Sequence, residues 1–76
     1  MAIQERIINL DGLRMELAQL VREERELSEV RRKLHERIDA GFANEVTIAR
    51  ERQVSDERMA LHRRIDTLRG QLDLHA

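Results

Sequence analysis

A chain of 76 residues forms one domain at most, and one this small needs a staple or a partner to be stable. Cysteine, proline, tryptophan and tyrosine are absent and phenylalanine occurs once, which excludes disulfides and thiolate metal sites and argues against a conventional globular core. Charged residues make up 38% of the chain but the formal net charge is only −1, which argues against a general DNA binder and against charge-driven disorder. No apolar run reaches membrane-spanning length. Glu5 and Arg6 interrupt Ile3, Ile7 and Ile8, so no secretory signal is expected. The expected setting is cytoplasmic.

Residues 1–12 read as an N-terminal arm, with apolar Ile3, Ile7, Ile8 and Leu10 allowing a short extra helix. Asp11 is the expected N-cap of the first long helix, with Gly12 just inside it, and the helix is expected over about 13–40. The segment Asp39-Ala40-Gly41-Phe42-Ala43-Asn44 is the clear break. Gly41 suits a left-handed C-cap and Asn44 the N-cap of the next helix, giving a turn at about 41–44. The second helix is expected over about 45–74, with Gly70 weakening its last turns. Two helices of similar length joined by a short turn fold back on one another. The expected fold is therefore all-α, an antiparallel two-helix coiled-coil hairpin over 13–76.

The apolar residues recur at spacings of three and four. They run through Leu13, Leu17, Leu20, Leu27, Leu34 and Ile38 in the first helix, and through Val54, Leu61, Ile65, Leu68 and Leu72 in the second. Continuing the spacing lands on Glu24 and Arg31 in one helix and on Glu51 and Arg58 in the other. Charge at core-type positions lowers coiled-coil stability, so these four residues require a reason.

A shift of 27 residues supplies one. It superposes 24–39 on 51–66 with nine identities in sixteen positions, and Ser28/Ser55, His35/His62 and Asp39/Asp66 recur in register with Glu24/Glu51 and Arg31/Arg58. The shared pattern is Glu-x3-Ser-x2-Arg-x3-His-x3-Asp, whose offsets lie on one helical face. In an antiparallel pair, facing residues have a constant sum of numbers. A turn centred near Ala43 makes that sum about 86. Ser28 then faces Arg58, Arg31 faces Ser55, Glu24 faces His62 and His35 faces Glu51, a pseudo-twofold polar site. Thirteen of the fourteen basic residues are Arg. The Arg fork suits phosphate and the O6/N7 edge of guanine, and carboxylates accept from guanine N–H groups, so a symmetric, doubly charged guanine ligand would satisfy the stripe.

The pattern, with the strings Arg-Glu-Leu-Ser and Leu-His-x-Arg-Ile-Asp, resembles the signature of RsiG-type anti-sigma factors over roughly Leu13 to Leu74. The family are bacterial helical hairpins that bind cyclic di-GMP as a dimer and sequester a motility/sporulation-type (WhiG-like) sigma factor. Family members often have Gln where this chain has His35 and His62, and His adds pH dependence. The resemblance implies that Arg31 and Arg58 contact phosphate or guanine, and that Ser28 and Ser55 bond phosphate oxygens. It implies that Asp39 and Asp66 accept from a guanine edge and that His35 and His62 donate. Glu24 and Glu51 would position the arginines or take a guanine N–H.

Other readings compete with this one. In a structural or adaptor coiled coil the polar seam would only set register. His and Asp four apart can ligate a metal, but the facing rule holds His35 well away from His62, and no metal is expected. No enzyme is expected, because a two-helix hairpin encloses no pocket. In either remaining reading the hairpin is expected to dimerise or to dock on a partner.

Overall fold

The computed structural model describes residues 9–75. Helix α1 spans Leu10–Asp39 and helix α2 spans Glu45–Leu74, and the two pack along their length as an antiparallel hairpin about 60 Å long. The hairpin expected from the spacing is the fold observed. Any extra helix among residues 1–8 lies outside the described residues.

The start of α1 differs from the expectation. The N-cap is Asn9, not Asp11, so α1 begins at Leu10, within the segment expected as an arm. Asn9 Oδ1 accepts from the Gly12 N–H at 2.9 Å, and the Asn9 carbonyl accepts from the Leu13 N–H at 3.0 Å, closing the first turn. Both Asn and Asp cap helices, so the competition is decided by what each start buries. Starting at Leu10 adds one more half-buried leucine to the 3-4 stripe. It also puts Asp11 in the first turn, where a negative charge meets the positive end of the helix and pairs with Arg14 at 3.3 Å.

The turn forms as its residues dictate. The Phe42 N–H donates to the Arg37 carbonyl at 2.9 Å and the Gly41 N–H to the Ile38 carbonyl at 3.1 Å, the paired bonds of a Schellman motif. That motif needs a left-handed residue, and Gly41 supplies it at φ +95°. Asn44 then caps α2, accepting at Oδ1 from the Thr47 N–H at 2.9 Å and from the Thr47 hydroxyl at 3.0 Å.

All eleven seam residues named from the sequence are buried or half-buried, but the fully packed part is short. Among the described residues Val54, Ile65 and Leu68 are the buried apolar ones, all on α2, and α1 has none. Gly70 lies inside α2 with open space where a Cβ would stand. Gly70→Ala is therefore expected to stabilise the hairpin by about 0.5–1 kcal/mol through reduced backbone entropy in the unfolded chain. Urea unfolding followed by helical circular dichroism reads this, and an unchanged midpoint would place the fraying elsewhere.

Candidate functional site: two linked polar clusters

The four facing pairs expected from the constant sum of 86 all form. Arg58 Nε donates to Ser28 Oγ at 2.9 Å and Arg31 Nε donates to Ser55 Oγ at 3.1 Å. His62 Nε2 lies 3.1 Å from Glu24 Oε1 and His35 Nε2 lies 3.0 Å from Glu51 Oε1. Within each helix the serine completes a bridge: Ser28 Oγ donates to Glu24 at 2.6 Å, and Ser55 Oγ donates to Glu51 at 2.7 Å. Arg58 Nε also reaches Glu24 at 3.1 Å, and Arg31 Nε lies 3.6 Å from Glu51. The result is two clusters, Glu24-Ser28-Arg58-His62 and Glu51-Ser55-Arg31-His35. Each takes a Glu-Ser pair from one helix and an Arg-His pair from the other, so the pseudo-twofold relation of the repeat becomes a relation in space.

The outer ends of the motif do not join. Asp39 and Asp66 are exposed, and neither has a hydrogen bond or ion pair among the described residues. At offset 15 the α-helical repeat has drifted about 60° from the glutamate, enough to leave the seam. The facing rule sets Asp39 level with Thr47, whose hydroxyl is bonded to Asn44, and Asp66 level with the apolar Leu20. Along the axis the two aspartates stand about 28 Å apart, one beyond each cluster.

The glutamates are the anchors. Their side chains retain 17% and 20% of their exposure. The Ser28 hydroxyl, aided by the charges of His62 and Arg58, holds the Glu24 carboxyl below its ordinary value of 4.5 against the opposing effect of burial. The Ser55 hydroxyl and His35, with Arg31 beyond, do the same for Glu51. A carboxylate whose folded pKa is depressed stabilises the fold above its unfolded pKa, and that contribution is lost as pH falls through the folded value. The melting temperature is therefore expected to hold steady from neutral pH to about 5 and to fall in more acid solution. The Glu24→Gln/Glu51→Gln double variant should show a lower plateau and a shallower acid limb. An acid limb as steep as that of the parent would remove the clusters from its cause.

Each cluster still has unused bonding capacity. Both arginines bond inward through Nε alone, and no hydrogen bond from the Nη atoms of Arg31 or Arg58 occurs among the described residues. Glu24 and Glu51 likewise accept through Oε1 and leave Oε2 free. Among the described residues no half-buried side chain holds a buried, unpaired polar atom, so these free groups reach solvent. Two guanidinium forks thus face outward from adjacent levels of the hairpin, three residues or about 4.5 Å apart along the axis. Each stands beside a carboxylate oxygen.

The flanking arginines divide. Arg32 pairs with Glu29 and Glu36 on its own helix, as expected of a solvated face. Arg64 instead crosses to Glu16 on the other helix, with Nη2 at 2.8 Å and Nε at 3.2 Å. Among the described residues no group of three His, Asp or Glu side chains is arranged to hold a metal, and no helix is long and apolar enough to cross a membrane. Comparisons with protein-family models, curated proteins and solved structures found no match.

Proposed function

We propose that this chain is a cytoplasmic cyclic di-GMP-binding anti-sigma factor that sequesters a motility/sporulation-type (WhiG-like) sigma factor, a binding module and not an enzyme. The observation that carries the reading is the pair of outward guanidinium forks, related by the pseudo-twofold of the repeat, each beside a free carboxylate oxygen. A twofold, doubly anionic ligand with guanine edges is complementary to that array: the forks take phosphate or O6/N7, and the carboxylates take N1–H and N2–H. Asp39 and Asp66, exposed beyond each cluster, would accept from outer guanine edges. Bound as a dimer between hairpin and sigma factor, the ligand would offset the arginine charge and complete a surface for the partner.

Isothermal titration with cyclic di-GMP, alone and with a WhiG-type sigma factor present, tests this against GTP, cyclic di-AMP and zinc. Binding of cyclic di-GMP in either setting, without binding of the controls, is the expected result. Absence of binding in both would overturn it.

The second reading, a structural or adaptor coiled coil, is favoured by a different observation. The inward atoms of both clusters are already satisfied within the hairpin, which is what a register lock needs. That reading expects no cyclic di-GMP binding in either setting.

A further inference from the structure

The seam separates two faces. The clusters lie on one. On the other, Leu27, Val30 and Leu61 floor an open groove of about 580 Å³, and Glu23, Glu26 and Glu57 stand at its rim. Ala60 contributes only a methyl group at the same place, which keeps the groove open. The lining includes three carboxylates and no cation. Val30 retains 36% of its exposure in the middle of a 30-residue helix that buries no residue of its own, so this face is left uncovered by the hairpin.

We infer that this groove is a docking site for an amphipathic helix that has an aliphatic face flanked by Lys or Arg, contributed by a partner protein. Volume and lining suit aliphatic side chains inserted between the two helices, the helix-in-groove mode of recognition. Charge selects the occupant. Basic flanks would meet Glu23 and Glu26 on one wall and Glu57 on the other, whereas a second copy laid groove to groove would bring carboxylates against carboxylates. The groove and the clusters lie on opposite sides of the seam, so one partner helix and a ligand on the polar stripe can be held together. The inference does not depend on the identity of that ligand.

The test uses the whole chain and two synthetic helical peptides. Both carry Leu at the a and d positions, with Lys at e and g in one and Glu at e and g in the other. The expected result is saturable binding of the Lys peptide only, with methyl shifts at Leu27, Val30 and Leu61 and none at the imidazole rings of His35 or His62. The triple variant Glu23→Lys/Glu26→Lys/Glu57→Lys should weaken the Lys peptide by about tenfold or more, the sum of three rim ion pairs, and should gain affinity for the Glu peptide. Ala60→Phe fills the groove without changing charge and should block binding while helicity is retained. Equal binding of both peptides, binding insensitive to both variants, or shifts confined to the polar stripe would overturn the inference. So would sedimentation showing that the unmodified chain pairs with itself through Leu27 and Val30.

Discussion

Alanine in place of Arg31 or Arg58 is expected to reduce cyclic di-GMP affinity by more than about a hundredfold, with helicity retained. A charge-assisted hydrogen bond is worth about 1.5–3 kcal/mol, and a guanidinium fork that meets phosphate or guanine in two places supplies two of them. The arginine does less inside the hairpin than out, since only its Nε bonds inward. Removing Arg31 leaves Ser55 and Glu51 bonded to each other and to His35, and removing Arg58 leaves Ser28, Glu24 and His62 joined in the same way. The fold therefore keeps most of each cluster while the outward fork is lost. Titration calorimetry on the two single variants, beside circular dichroism, separates the effects. Retained affinity in both would remove the forks from the site, whatever the sigma factor does. Lysine at either position should rescue little, because an ammonium group offers a point charge and no fork.

The second large effect concerns stability. Leu68 is fully buried, and Leu68→Ala is expected to cost about 2–5 kcal/mol, from lost transfer energy and from the cavity left behind. A chain of this length has a total stability of only about 4–11 kcal/mol. One methyl-rich side chain among the three apolar residues buried in the described part of the chain thus carries a large share of the whole, and the variant should melt broadly near ambient temperature. Val46→Ala is the matched control. Val46 is 79% exposed, and its loss should shift stability by no more than about 0.5 kcal/mol. Urea melts of the two variants side by side make the comparison. Equal midpoints would show that the hairpin is not held by its α2 core.

The facing pairs were legible from the sequence because two independent features, the turn at Gly41 and the repeat, agree on one sum. The Schellman turn and the Asn44 cap were legible because few residues meet their geometric demands. The start of α1 was not, because Asn9 and Asp11 have the same capping chemistry, and the added burial of Leu10 and the first-turn charge of Asp11 separate them. Asp39 and Asp66 belonged to the repeat but not to the clusters. Sequence identity extends further along the chain than an α-helix can keep residues on one face. The Arg64 link to Glu16 also escaped the facing rule, since its numbers sum to 80: a long arginine side chain reaches past the residue level with it, as Arg58 also does to Glu24. The apolar groove was hidden for a simpler reason. Leu27 and Leu61 read as seam residues, and only packing shows how much of them the seam fails to cover.

The turn over residues 40–44 has one more consequence. Because it joins the helices covalently, the two halves of each cluster meet at an effective concentration on the order of millimolar, however little protein is present. A pair of separate helices with the same residues would come apart on dilution, and its ligand affinity would depend on its own abundance. Here assembly of the polar array is unimolecular. The chain can be scarce and still present both forks in fixed relation, so its response follows the concentration of what it binds and not its own copy number.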